Sequence, residues 1–142
     1  MTYGSEFSSL IQPQLAALGN QSKAIGAQRY MKDVAPFLGV QTPERRNLVK
    51  KIAKELRTPT SAELGQTARS MWKLDEREYH YAAFDLIQIH VEVADKNFLE
   101  EHVEFLITHK SWWDTVDGLG TAAVSPLMRR YPNKELMLRN LS

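Results

Sequence analysis

A tryptophan and an aspartate four residues apart, Trp113 and Asp117, are the side chains of this sequence best suited to chemistry. Ser111 is a favourable N-cap residue, and a helix that follows it places Trp113 and Asp117 on one face. Because an indole face attracts cations and a carboxylate adds a full opposite charge, the pair suits a cationic ligand. Core packing is the commoner use of tryptophan pairs, and we expect Trp112, on the neighbouring stripe with Val116, to enter the core.

The basic residues of the chain are concentrated in one segment. Residues 29–57 contain eight Lys or Arg against three Asp or Glu, a net charge of +5, whereas residues 58–109 contain four against ten, a net charge of −6. A protein divided in this way can hold a polyanion on one of its surfaces. A solvated, lysine-rich helix face without a ligand is the alternative interpretation.

A helix with one cationic face is predicted within the basic segment. Thr42 as N-cap and Pro43 at the first helical position mark its start, and it runs to about Arg57. At about 100° per residue, four apolar residues share one arc and five basic residues take the opposing side. The apolar set is Leu48, Val49, Ile52 and Leu56, and the basic set is Arg46, Lys50, Lys51, Lys54 and Arg57. Phosphates are the expected partners of this face.

Length and composition place the chain among ordinary globular proteins. The 142 residues are predicted to form a single domain, residues 1–142. The absence of cysteine excludes disulfides and thiolate metal sites. No apolar run approaches the roughly 20 residues of a membrane span and no signal peptide leads the sequence, so a cytoplasmic protein without membrane contact is expected. The stretch Gly4-Ser5-Glu6-Phe7 resembles a cloning linker and is given no functional role.

Helical periodicity recurs along the chain and no segment alternates with period two, which predicts an all-α fold. A capping box is predicted at Thr60 and Glu63, and Asp75 with Glu78 is predicted to cap the next helix. The helix starts at Thr42, Asp75 and Ser111 recur at intervals of 33 and 36 residues, each holding two helices. This spacing favours a superhelical array of antiparallel helix pairs, with an irregular bundle as the alternative.

The four histidines, His80, His90, His102 and His109, are not spaced to bind a metal ion on one helical turn, and no cysteine assists them. We expect these side chains at the surface or at helix ends, with no metal site. The sequence also has no glycine-rich phosphate loop, so no cofactor is expected.

Four segments, in order, resemble one family. They are residues 27–32 (AQRYMK), 37–46 (FLGVQTPERR), 71–78 (MWKL followed by ERE) and 110–117 (KSWWDTVD). Together they resemble the AlkD-type DNA alkylation repair glycosylases, which are built from HEAT-like helical repeats. The resemblance runs from about residue 7 to the end of the chain. It implies a HEAT-like α-solenoid, and because family members continue for several more helices it also implies truncation at the C-terminus.

The family hydrolyses the N-glycosidic bond of cationic alkylated purines such as 3-methyladenine and 7-methylguanine. By position, the resemblance makes Asp117 and Trp113 the catalytic residues and Tyr30 an aromatic near the same site. It assigns the DNA backbone contact to the segment beginning at Gln41. The candidate DNA-binding residues are Tyr30, Gln41, Thr42, Arg45, Arg46, Lys50, Lys54 and Trp112. The implied partner is double-stranded DNA with alkylated bases, bound by a monomer.

The chemistry of the residues agrees with that resemblance. An alkylated purine is cationic and is already a good leaving group, and its departure gives the deoxyribose oxocarbenium character. A carboxylate such as that of Asp117 beside the sugar stabilises the developing charge. Two other functions fit the same sequence. One is a repeat protein that binds damaged or branched DNA without cleaving it, and the other is a protein-binding helical scaffold.

Overall fold

The prediction of an all-α fold is confirmed. A computed structural model describes residues 2–33, 35–110 and 113–131, and of Trp113 it describes the backbone. Within these ranges the chain forms helices and no β-strand. The helices are α1 (Tyr3–Ala17), α2 (Gln21–Tyr30), α3 (Thr42–Glu55), α4 (Ser61–Trp72), α5 (Arg77–Ile89), α6 (Glu104–Thr108), α7 (Trp113–Leu119) and α8 (Ser125–Arg130). A 3₁₀ turn over Val91–Val93 follows α5, and π-helical turns over Leu99–Val103 and Gly120–Val124 lead directly into α6 and α8.

Helix α5 lies at the centre of the packing. It contacts α3, α4 and α7, while α1 packs against both α3 and α4. One side of α1 enters the core through Tyr3, Phe7, Ile11 and Leu15, which are fully buried. Burying each such side chain contributes about 1.5–3 kcal/mol. The stretch that resembled a cloning linker is therefore part of α1, and its Phe7 is a core residue.

The predicted helix starts are only partly correct. The capping box is confirmed, because the Thr60 hydroxyl accepts from the backbone N–H of Glu63 and the Glu63 carboxylate accepts from that of Thr60. Thr42 is the first residue of α3 instead of its N-cap, a position that Gln41 takes without a side-chain hydrogen bond. The start predicted at Ser111 lies outside the described residues.

The cap predicted for α5 is wrong. Glu76 is its N-cap residue, and no side chain caps the helix. The carboxylate of Glu78 is buried and binds the backbone of residues 38–40 instead. A long-range set of N–H donors has therefore replaced the local cap that the sequence suggested.

The described helices bear on the membrane prediction but do not test the repeat prediction. In the part of the chain that the structure describes, no helix has the length and apolar character that a bilayer span requires. The division of these helices into HEAT-like repeats, and of the chain into one domain, stays a prediction.

Gly39 is the tightest backbone position of the segment that leads into α3. Its φ is +86°, and a Cβ built there would lie 2.0 Å from the carbonyl oxygen of Asn20. We expect Gly39→Ala to lower the free energy of unfolding by more than about 1 kcal/mol, because the backbone oxygen cannot move aside cheaply. Urea denaturation measures this change.

Gly26 provides the matched control for Gly39. It lies inside α2, and a Cβ there would meet no atom within 4 Å. Gly26→Ala should therefore raise the free energy of unfolding by about 0.5–1 kcal/mol through the lower entropy of the unfolded chain. Equal effects of the two substitutions would contradict this reading of the segment.

Candidate nucleic-acid interface

An open groove of about 320 Å³, here called the central groove, lies on α5 between α3 and α7. Helix α5 forms its floor, because α3 and α7 both pack on that helix. The groove is lined by Thr42, Arg45, Arg46, Tyr81, Phe84, Gln88, Asp114, Asp117, Gly118 and Thr121. Residues predicted from separate parts of the sequence, Thr42 and Arg46 on α3 and Asp117 on α7, therefore line the same groove.

The central groove continues in both directions along α3. Towards the start of α3 it meets a second depression that also includes Lys23 and Gln41. Towards the other end it meets a third that includes Lys50 and Asp85. Because neighbouring depressions share lining residues, they form one trough that passes Asp117 and includes Arg46 and Lys50 of the predicted cationic face.

The predicted cationic face lies on α3 except for Arg57, which follows the end of the helix. Arg46, Lys50, Lys51 and Lys54 are exposed on α3. Arg57 is exposed but engaged, since its guanidinium donates to the Glu63 carboxylate at 2.8 and 2.5 Å and lies over the ring of Tyr3. The hydrogen bond from Arg57 is the main reason that the pKa of Glu63 falls to about 2.

Arg45 does not occupy the position predicted for a DNA-binding residue. Its side chain is 5% exposed, and its Nε donates to the Asp85 carboxylate at 2.6 Å. The guanidinium carbon lies 5.1 Å from the ring centre of Tyr81 and 5.6 Å from that of Phe84. If the Arg45 side chain turned outwards to contact a phosphate, the Asp85 carboxylate would stay buried without its main partner, which is costly. A direct phosphate contact therefore does not fit, and we reassign Arg45 to supporting the groove floor.

The two carboxylates of α7 have different surroundings. The carboxylate of Asp114 accepts from Arg77 Nε at 3.1 Å, from Arg77 Nη2 at 3.0 Å and from the Tyr81 hydroxyl. Asp117, one turn later, is exposed. Across the described ranges, no basic side chain forms an ion pair with it. Asp117 is therefore the carboxylate of α7 that can respond to a new positive charge in the groove.

Burial shifts two ionisable groups beside Asp114. Burial, followed by the hydrogen bond with Asp114, raises the pKa of Tyr81, so its hydroxyl stays a hydrogen-bond donor. Burial is also the main reason that the pKa of His80 falls to about 4. The neutral imidazole packs against Trp72 and lies 2.8 Å from the carbonyl oxygen of Leu74. These groups serve as fixed supports.

The expectation of surface histidines is wrong for His80 and His102, which are both buried. His102 packs against Phe98 and receives the Arg69 guanidinium on its Nδ1. Among the residues that the structure describes, no three potential ligands are placed together to hold a metal ion.

The predicted aromatic residues are only partly described. Trp112 lies outside the described residues, and so does the side chain of Trp113, whose backbone begins α7. Tyr30 is the last residue of α2, with 74% of its surface exposed, and is not among the residues that line the central groove.

The sequence reasoning missed the polar side chains of α5. Arg77, Tyr81 and Asp85 are spaced by four residues, so they lie on one face of α5. Each contacts the α3 or α7 side of the groove. The signal in the sequence was a stripe of polar residues at helical spacing within a helix predicted to be largely buried. Because buried charges need partners, such a stripe indicates contacts with neighbouring helices.

Comparisons with known proteins bear on the family of this chain and on its fold. A family model described as DNA alkylation repair enzyme matches residues 11–142. The solved structure of a protein described as a predicted DNA alkylation repair enzyme from Enterococcus faecalis is similar, with a TM-score of 0.75 and 27% sequence identity. The match covers 87% of this chain and 57% of that one. No curated protein matches the sequence significantly. The helical fold and the match over nearly the whole chain show that this protein belongs to the family of DNA alkylation repair enzymes.

Proposed function

We propose that the protein hydrolyses the N-glycosidic bond of cationic alkylated purines in DNA, such as 3-methyladenine and 7-methylguanine. The observation that carries the proposal is the position of Asp117, an exposed carboxylate on the α7 side of a groove whose α3 side carries Thr42 and Arg46. DNA held against the α3 side brings its sugars near an anion. In this proposal the chain acts as a monomer built of HEAT-like repeats.

The reaction requires little from the protein beyond electrostatics. An alkylated purine leaves with the electron pair of the bond between its nitrogen and C1′, becomes neutral and needs no proton. Positive charge then develops on the deoxyribose, and the Asp117 carboxylate stabilises it more strongly than it stabilises the substrate. Water adds to C1′ and loses a proton to solvent. Asp114 is unsuited to this role, because Arg77 already neutralises it.

The aromatic residues have supporting roles in this proposal. Trp113, which precedes Asp117 by one helical turn, offers its indole to the cationic lesion. Tyr30 contacts the DNA nearby. Gln41 and Thr42, at the start of α3, bind the sugar-phosphate backbone through side chains and free backbone N–H groups.

The cationic residues of α3 supply the affinity. We expect Arg46→Ala and Lys50→Ala each to weaken binding to any DNA sequence, and to reduce the slope of log K against log salt by about one unit. The reason is that each residue releases about one counterion when it neutralises a phosphate. Fluorescence anisotropy at several salt concentrations measures the slope.

Lys51→Ala is the matched control for that measurement. Lys51 is exposed on the same helix but does not line the trough. Its removal should change the slope by much less than the removal of Lys50. Equal slopes for Lys50→Ala and the unmutated protein would remove the phosphate assignment.

Base release tests the enzymatic part of the proposal. The protein is incubated with duplex DNA that contains 7-methylguanine, and the free base and the abasic strand are quantified. Release above the spontaneous rate is expected. Salt-sensitive binding without release would instead favour a protein that recognises damaged DNA without cleaving it. Absence of both base release and salt-sensitive DNA binding would favour a protein-binding scaffold.

A further inference from the structure

Two adjacent buried charges at the start of α5, Arg77 and Glu78, contact the start of α7 and the segment that leads into α3. Both are 2% exposed. Burying a full charge is costly unless each is paired and hydrogen-bonded, so the partners of these two side chains indicate what they hold in place.

Arg77 holds the start of α7. Its Nη1 donates to the carbonyl oxygen of Lys110 at 2.6 Å, and its Nε and Nη2 donate to the two oxygens of Asp114. The guanidinium therefore forms hydrogen bonds with residues on both sides of the point where α7 begins. Tyr81 donates to the same carboxylate and fixes its orientation. Asp117 follows Asp114 by three residues, so its direction depends on this grip.

Glu78 holds the segment that leads into α3. Its Oε1 accepts from the backbone N–H of Leu38 at 2.8 Å, and its Oε2 accepts from those of Gly39 at 2.9 Å and Val40 at 3.2 Å. The backbone N–H of Arg77 also donates to the carbonyl oxygen of Pro36 at 3.0 Å. Residues 38–40 are followed directly by Gln41 and Thr42, so this grip places the start of α3.

We infer that Arg77 and Glu78 are positioning residues that act on the two sides of the groove separately. Resting on the proposed function, Arg77 acts through Asp114 to place the Asp117 carboxylate beside the sugar, and Glu78 places the backbone-binding residues Gln41 and Thr42. Since the guanidinium and the carboxylate reach different sides, their loss has different consequences. Weakening the Arg77 grip slows base release, and weakening the Glu78 grip weakens DNA binding.

Amide hydrogen exchange tests the division directly and without reference to activity. Asp114→Asn should speed exchange in residues 113–119 and leave residues 38–40 protected. Glu78→Gln should do the opposite, because the amide nitrogen that replaces one carboxylate oxygen cannot accept a hydrogen bond, so at least one N–H of residues 38–40 loses its partner. Exchange that rises equally on both sides in each variant, or on neither side, overturns the inference.

Single-turnover kinetics on 7-methylguanine DNA provide the second test. We expect Asp114→Asn to slow release at saturating protein by about tenfold with Kd within twofold, since small misplacements of a catalytic group are costly. Glu78→Gln should raise Kd and change the saturated rate less. In an Asp117→Asn background, Asp114→Asn should cause no further slowing, because it acts through Asp117. If Asp114→Asn slowed release in the Asp117→Asn background by the same factor as in the unmutated protein, the positioning role would be overturned.

Controls keep the two proposals apart. All assays are run well below the melting temperature of the least stable variant, and Tyr81→Phe replaces Asp114→Asn if that variant does not fold. Tyr81→Phe removes one hydrogen bond from Asp114, so it should change exchange in α7 and the release rate in the same direction by less. No release by the unmutated protein would contradict the proposed function, and unimpaired release by Asp117→Asn would contradict the catalytic role of Asp117. In either case hydrogen exchange would still decide the positioning roles.

Discussion

Asp117→Asn is expected to slow the release of 7-methylguanine from DNA by about 10²–10³-fold, the usual effect of removing one preorganised electrostatic contact to a transition state. The substitution conserves size and removes the charge that stabilises the oxocarbenium-like sugar. Because Asp117 is exposed and pairs with no basic side chain in the described ranges, its loss leaves no buried cation behind. Folding should be retained, and DNA affinity should fall little or rise, since an anion has been removed.

Asp75→Asn is the matched control for this prediction. Asp75 is an exposed carboxylate before α5 and does not line the groove. The two variants carry the same change in net charge, so an effect of overall charge would appear in both. The rate constant for release is measured under single-turnover conditions at saturating protein. Equal rates for Asp117→Asn and Asp75→Asn would contradict a catalytic role for Asp117.

The helices and the cationic face were predictable from the sequence because they depend on the spacing of residues that are close together in the chain. The spacing of Leu48, Val49 and Ile52 defines a buried stripe whatever lies against it, and the structure buries all three. The capping box of Thr60 and Glu63 was predictable for the same reason, since its partners are three residues apart.

The buried charge network was not predictable, because its partners are distant in sequence. Arg77 and Asp114 are 37 residues apart, and Arg45 and Asp85 are 40 apart. A helical wheel gives the direction of each side chain but not what it meets. Glu78 shows the consequence: its local pattern suggests a cap, while three backbone donors from residues 38–40 stabilise it elsewhere.

Arg45 combines both situations. It precedes Leu48 by three residues and Val49 by four, so the wheel already places it on the buried stripe of α3. Its charge argued for the DNA-binding face instead. The position of Asp85 decides between the two, because an opposite buried charge makes a buried arginine acceptable. The candidate site therefore needed the fold to separate supporting cations from exposed ones.

That separation gives the second large prediction. Arg45→Met should lower the free energy of unfolding by about 3 kcal/mol, because it leaves the Asp85 carboxylate buried without its main partner. Arg46, whose Nε is 3.8 Å from Asp85, gives only partial compensation from its exposed position. Urea denaturation measures the loss, which is a large share of the roughly 5–15 kcal/mol that stabilises a typical domain.

The double variant Arg45→Met with Asp85→Leu should recover most of that stability, since replacing both members of a buried ion pair with apolar side chains is often neutral. The salt dependence of DNA binding then decides the role of Arg45. If its guanidinium supports the groove floor, the double variant keeps the slope of the unmutated protein within error. A slope reduced by about one unit, as expected for Lys50→Ala, would show that Arg45 contacts a phosphate after all. If the double variant does not regain stability, the ion pair contributes more than the compensation of its own burial. The contacts of Arg45 with Tyr81 and Phe84 in the groove floor would then account for the difference.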